Sequence, residues 1–166
     1  ACFINNGRSC DAASRLLVDR KVYDDVVDRV AKIGDNRKVD DPMKEGSHIG
    51  PVVNKKQFEH VQRLIQVGID GGTRLAAGAL GRPAGFNKGY YIRPTLFADV
   101  TNDMYMAQQD VFGPVLAILP FDTEEEAIKI ANDTPYGLAA YIQSTDQERI
   151  DRVSRKLRAG IVSVNG

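Results

Sequence analysis

Cys10 has the most chemistry to offer, standing in Asn6-Gly7-Arg8-Ser9-Cys10 and followed by Asp11. A thiolate is a strong nucleophile, yet a lone cysteine is more often a small buried apolar group. Its neighbours argue for more than packing. Gly7 lets the backbone turn tightly, and Asn6, Arg8, Ser9 and Asp11 make a polar setting for a core thiol. Arg8 would favour the ionised thiol, whereas Asp11 would oppose it. Cys2 is read as structural. His48, in a loop, and His60, on a helix, lie too far apart for a helical metal pair, so no metal site is expected. Either histidine, if paired with Cys10, could instead serve a cysteine hydrolase. No G-x-G-x-x-G and no P-loop sequence occurs.

Around these residues the sequence predicts an α/β fold. Ser14 to Val18 reads as a short strand leading into a helix over Lys21 to Ile33, where Val22, Val26, Val30 and Ile33 recur at helical spacing. Asn36 to Pro51, rich in Asp, Pro, Gly and Lys, reads as a surface loop. A second helix is expected from Lys55 to Ile69 with Asn54 as its N-cap, followed by a short strand near Arg74 to Ala77. Val115 to Leu119 is a continuous apolar strand. Thr123-Glu124-Glu125-Glu126 and Thr145-Asp146-Gln147-Glu148 read as capping boxes for two helices, the second closed by Gly160 as its C′ residue. Leu138 to Ile142 and Ile161 to Val164 read as strands, so this strand-helix alternation predicts βαβ crossovers and a parallel sheet.

Composition narrows the function classes. Lysine plus arginine balances aspartate plus glutamate at 22 each, which gives no electrostatic reason to expect nucleic acid or an anionic membrane as partner. No apolar run approaches the roughly 20 residues that span a bilayer. Two cysteines make no disulfide framework, and a reducing, cytoplasmic setting is the simplest reading. The chain opens at Ala1 without a methionine and stops at Gly166, straight after a strand-like run; a piece of a longer polypeptide is expected.

Several segments together resemble the NAD(P)-dependent aldehyde dehydrogenase family. The family carries its nucleophile in a segment like F-x-N-x-G-Q-x-C, and this chain has Phe3-Ile4-Asn5-Asn6-Gly7-Arg8-Ser9-Cys10, then Ser14-Arg15-Leu16-Leu17-Val18. The family's E-[IV]-F-G-P-V is matched by Asp110-Val111-Phe112-Gly113-Pro114-Val115. Gly50-Pro51-Val52, Gly89-Tyr90-Tyr91-Ile92-Arg93-Pro94-Thr95, Ala131-Asn132-Asp133-Thr134-Pro135-Tyr136-Gly137-Leu138 and Gly160-Ile161-Val162-Ser163-Val164-Asn165 also look like family segments, in the family's order.

The resemblance implies a mostly parallel twisted sheet with helices on both faces, Rossmann-like, forming the nucleophile-bearing catalytic domain over residues 1–166. It implies that the dinucleotide-binding domain, the general-base glutamate and an oxyanion asparagine lie upstream, and that a C-terminal arm follows. The piece by itself would then be inactive or nearly so. The implied reaction is oxidation of a small aldehyde to a carboxylic acid with NAD or NADP as acceptor. It passes through a Cys10 thiohemiacetal, whose oxyanion meets the Cys10 backbone N–H, and then a thioester that water hydrolyses. The resemblance also implies a homodimer or homotetramer for the whole protein.

Its site residues carry over one by one. Asp110 would hold the nicotinamide ribose and Phe112 would pack on the cofactor; the plainer reading is a loop carboxylate beside a core aromatic. Asp110 is one methylene shorter than the family's usual glutamate, and Gln109 replaces an acidic residue common before it. Gln57 matches a ribose-contacting glutamine, although three residues after Asn54 it could equally close a helix N-terminus. Ile4 falls where the family often has an aromatic lining the aldehyde tunnel, with a core isoleucine as the alternative. Arg8 stands where glutamine is usual, and could tune the thiolate, recognise an acidic aldehyde or face solvent. These departures leave room for a catalytically silent binding or structural member of the family, and within the enzyme reading for a coenzyme-A-acylating dehydrogenase.

Overall fold

A computed structural model describes residues 2–46 and 49–166. Its main layer is a four-stranded sheet in the order β1 (Arg15–Asp19), β4 (Val115–Phe121), β3 (Thr95–Ala98) and β2 (Arg74–Ala77). β1 and β3 both run parallel to β4, and β2 closes the far edge antiparallel to β3. Because side chains alternate across a strand, β4 feeds both faces. Val115, Ala117 and Leu119 join one apolar cluster with Val61, Leu64 and Ile65 of helix α2 (Lys55–Asp70). Leu116 and Ile118 join the other, with Tyr23 and Val27 of helix α1 (Tyr23–Asp35). A strand buried on both faces reads as an unbroken apolar run, which is why β4 was plain in the sequence.

The helix starts follow from their caps. Asn54 Oδ1 accepts the Gln57 N–H at 2.8 Å, and Thr123 Oγ1 accepts the Glu126 N–H at 3.2 Å at the start of α3 (Glu124–Asn132). At α4 (Gln147–Ser154) the cap is Asp146, whose carboxylate takes the Arg149 N–H at 3.0 Å, and not Thr145 as the box pattern suggested. That helix also ends earlier than expected, at Ser154. Gly160 does not cap it; its N–H pairs with the Gly137 carbonyl at 2.8 Å and opens strand β6 (Ile161–Val164).

Two further differences concern the sheet. β3 had no counterpart in the sequence reading: its four residues are all buried and show no alternation. The strands β5 (Ala139–Ile142) and β6 are parallel, as expected, but they pair only with each other. Both edges of β4 are already taken by β1 and β3, so β5 has no partner edge there and the β5–β6 pair stands as a separate small sheet. Among the described residues no helix is long and apolar enough to cross a membrane.

Candidate active site

Cys10 sits in an exposed turn, and the segment before it explains the shape of that turn. Asn5, Asn6 and Gly7 take φ values of 50°, 59° and 67°, three successive left-handed residues. Asparagine and glycine visit this region at the lowest cost. The conformation is held from outside: Asn6 is buried and its Nδ2 donates to the Pro51 carbonyl at 2.9 Å. The Arg8 N–H closes back on the Asn5 carbonyl at 3.0 Å, and the Ala12 N–H on the Ser9 carbonyl at 2.9 Å. Ser9 Oγ donates to the Asp11 carboxylate, and that bond is the main reason the Asp11 carboxyl lies below its ordinary range. No bond among the described residues occupies the Cys10 backbone N–H.

The two cysteines separate cleanly. Cys2 is partly enclosed beside the sheet, its thiol donating to the Val115 carbonyl at 3.4 Å, and burial pushes its pKa up to about 12. A thiol so buried stays protonated, so the structural reading of Cys2 fits.

The second loop, Asp110–Phe112, leads into β4 after the 3-10 turn Tyr105–Gln108. Asp110 is exposed, and its Oδ1 accepts the Phe112 N–H at 3.2 Å. Oδ2 has no partner among the described residues. Phe112 is 38% exposed and holds φ at 50°, an uncommon state for a bulky residue that the surroundings must enforce. Gln57 supplies part of that: its Nε2 donates to the Phe112 carbonyl at 2.8 Å and to the Val111 carbonyl at 3.4 Å. Gln57 therefore does not close the helix N-terminus with its side chain, the second of the two readings given for it. Its backbone N–H is capped by Asn54, while its side chain holds the Asp110–Phe112 loop rather than reaching back to Asn54.

The two loops touch. A β-carbon built on Gly7 would collide with the Gly113 carbonyl, and one built on Gly113 would lie 2.6 Å from Val61 Cγ2. The turn that carries Cys10 and the loop that carries Asp110 and Phe112 are thus packed backbone to backbone, and α2 holds that loop through the Val61 and Gln57 side chains. Ile4, in the turn that leads to Cys10, is 62% exposed. Arg8 is half-buried, with its Nε buried and unpartnered among the described residues.

Other residues fall outside this group. His60 faces Arg63, its Nδ1 3.3 Å from Arg63 Nη2, and no bond joins it to Cys10. His48 lies outside the described residues. Among those residues no three His, Cys, Asp or Glu side chains come together as metal ligands would. Two residues that the sequence reading did not single out do reach the site. Tyr136 Oη accepts the Asp110 N–H at 3.1 Å, and Tyr141 Oη donates to the Asp11 carbonyl at 2.8 Å. Nothing local could have revealed either, since Tyr141 and Asp11 are 130 residues apart in the chain.

An exposed thiol on a turn of left-handed residues is thus packed against a loop with an exposed carboxylate and an exposed aromatic residue, within an α/β domain. The family model described as the aldehyde dehydrogenase family matches residues 1–166. This chain belongs to that family. It is 43% identical over 164 residues to peroxisomal aminoaldehyde dehydrogenase 1 of Pisum sativum, covering 99% of this chain and 32% of that protein. The fold superposes on the crystal structure of an aldehyde dehydrogenase from Bartonella henselae with a TM-score of 0.98 at 47% identity, covering 99% of this chain and 35% of that one. A variant of aldehyde dehydrogenase C from Pseudomonas syringae, solved with NAD+ and octanal, matches with a TM-score of 0.98 at 40% identity, over all of this chain and 34% of that one. The chain thus spans about a third of the length of the relatives it matches.

Proposed function

We propose that residues 1–166 are the nucleophile-bearing catalytic domain of an NAD(P)-dependent aldehyde dehydrogenase, acting on a small aldehyde through Cys10. The observation that carries this reading is the contact between the Cys10 turn and the Asp110–Phe112 loop through Gly7 and Gly113. It supports the reading because the Cys10 turn and the Asp110–Phe112 loop lie on adjoining backbone.

The Cys10 thiolate adds to the aldehyde carbonyl carbon, and the carbonyl oxygen becomes the oxyanion of a tetrahedral thiohemiacetal. The unoccupied Cys10 N–H is one donor for that charge. A bound dinucleotide supplies the two-electron acceptor. After oxidation the acyl group remains on Cys10 as a thioester until water releases the carboxylic acid.

The residues present suit that ligand. Asp110 Oδ2, unpartnered and exposed, would accept from a ribose hydroxyl, and the exposed face of Phe112 would pack on the flat nicotinamide. Gln57 serves the cofactor through the loop it holds, and its remaining amide oxygen is a further ribose acceptor. Ile4 and Arg8 lie in the nucleophile turn, where they would meet the substrate. Residues 1–166 alone are expected to turn over at most marginally, because they amount to about a third of the relatives' length. A homodimeric or homotetrameric, cytoplasmic protein completes the proposal.

The test is aldehyde-dependent NAD(P)H formation by the full-length protein and by its Cys10→Ser variant. Loss of turnover with cofactor binding retained supports the reading, and undiminished turnover in the variant overturns it. Cofactor binding without turnover by the unaltered protein, across a broad aldehyde panel, would indicate the silent member of the family instead.

A further inference from the structure

The small β5–β6 sheet makes no strand pairing with the main sheet, yet it and the segment leading into it send one tyrosine hydroxyl to each loop of the site. We infer that Tyr136 and Tyr141 are positioning residues, Tyr136 setting the cofactor loop through the Asp110 N–H and Tyr141 setting the nucleophile turn through the Asp11 carbonyl. The inference rests on the proposed roles of Cys10 and Asp110.

Both bonds end on backbone atoms, so they fix where a loop runs rather than which side chain it carries. The platform behind them is well braced. Tyr136 lies between α3 and β5, in a stretch held by Arg158. The Arg158 N–H donates to Asn132 Oδ1 at 2.7 Å, and its guanidinium donates to the Asn132 carbonyl at 3.1 Å and to the Thr134 carbonyl. Asn132 Nδ2 in turn donates to the Lys156 carbonyl at 2.8 Å. Tyr141 is within β5, opposite Ser163 of β6. The two anchors therefore lie five residues apart around the start of β5, while their targets lie on two loops.

The hydroxyls act in opposite senses. Tyr136 is the acceptor, and it removes the one donor that Asp110 would otherwise present from its backbone. Tyr141 is the donor, so its bond lasts only while the phenol keeps its proton. Burial first, then the charges of Asp11 and Cys10, hold that phenol above its ordinary value, so the proton is kept through the range in which thiols ionise.

The experiment compares Tyr136→Phe and Tyr141→Phe in the full-length protein, each keeping its ring, with Asp110→Asn and Cys10→Ser as references. Steady-state kinetics with varied NAD(P)+ and the rate of Cys10 alkylation by iodoacetamide are read for each. Tyr136→Phe is expected to raise KM for the dinucleotide about tenfold with kcat within about twofold and alkylation unchanged. Tyr141→Phe is expected to lower kcat and alkylation about tenfold with that KM unchanged. If Asp110→Asn raises KM but Tyr136→Phe does not, or if Cys10→Ser abolishes turnover but Tyr141→Phe alters neither kcat nor alkylation, the inference is overturned. If both tyrosine variants change all readouts alike, the sheet is general support and the inference is equally overturned. An unchanged KM in Asp110→Asn, or full turnover in Cys10→Ser, would instead bring down the site reading on which it stands.

Discussion

Gly7 and Gly113 meet backbone to backbone, with no side chain between the turn that carries Cys10 and the loop that carries Asp110 and Phe112. Gly7 also holds φ at 67°, so two independent demands fall on one residue. Gly113 is pinned from the other side by Val61 of α2 and cannot retreat.

Gly7→Ala should therefore cost more than its backbone conformation alone. The left-handed conformation accounts for roughly 1–2 kcal/mol, and the collision with Gly113 comes on top. Gly72→Ala is the control, since Gly72 has φ 77° but nothing within 4 Å of an added β-carbon. Thermal melts should show a clearly larger fall for Gly7→Ala, and its turnover in the full-length protein should drop at least tenfold by displacement of the two loops. Equal melts for the two variants would mean that the close approach is relieved cheaply.

The thiols should label in strict order. Cys10 is exposed, whereas burial holds the Cys2 thiol near pKa 12 and its S–H donates to the Val115 carbonyl. Iodoacetamide at pH 8 under native conditions should modify Cys10 alone, with Cys2 following only in denaturant, as read by peptide mass spectrometry. Comparable native labelling of Cys2 would contradict the burial described for it.

Gln57→Leu removes the amide that satisfies two loop carbonyls at similar side-chain volume. Leaving the buried Val111 carbonyl short of a donor should cost about 1 kcal/mol, and the loosened Phe112 should raise KM for the dinucleotide several-fold. Denaturant midpoints and cofactor titrations check the two halves separately. An unaltered KM would reduce Gln57 to a structural brace.

Acid stability should depend on Asp40. Its side chain is only 10% exposed and lies between Lys38 at 2.6 Å and Lys44 at 2.8 Å. Hydrogen bonds from Lys38 first and Lys44 second hold its carboxyl well below the usual carboxylate range. A depressed carboxyl stabilises the fold above its unfolded value, near 3.9, and that gain is lost as the pH falls through the folded value. Between pH 7 and pH 3 the urea midpoint of the unaltered chain should thus fall further than that of Asp40→Asn. Parallel falls would show that the lysines contribute nothing through Asp40.

Local chemistry made much of this protein legible before any coordinates. Asn54 and Thr123 announce their helices because an N-cap acts on an N–H three residues away, and β4 announces itself because an unbroken apolar run suits a strand covered on both faces. Cys10, Asp110 and Phe112 were recognisable as motif residues for a similar reason: each segment is contiguous, so its pattern survives in a string of letters. Thr145 against Asp146 shows where local reasoning fails, since two adjacent cap-forming side chains differ only in which one the incoming backbone turns toward the helix.

What tertiary structure alone decided is everything that joins distant segments. The sequence showed that Gly7 could turn sharply, but not that Gly113 would fill the space its missing side chain leaves. It showed Gln57 near a cap, but not that its amide would hold Phe112. Tyr136 stood only as one letter of a family-like segment and Tyr141 carried no signal, because a hydroxyl that bonds a backbone atom 26 or 130 residues away leaves no periodicity and no spacing behind. Caps and strand patterns are set by neighbours within a few residues. A site is set by which loops the sheet and its covering helices bring into contact, and that is a property of packing in three dimensions.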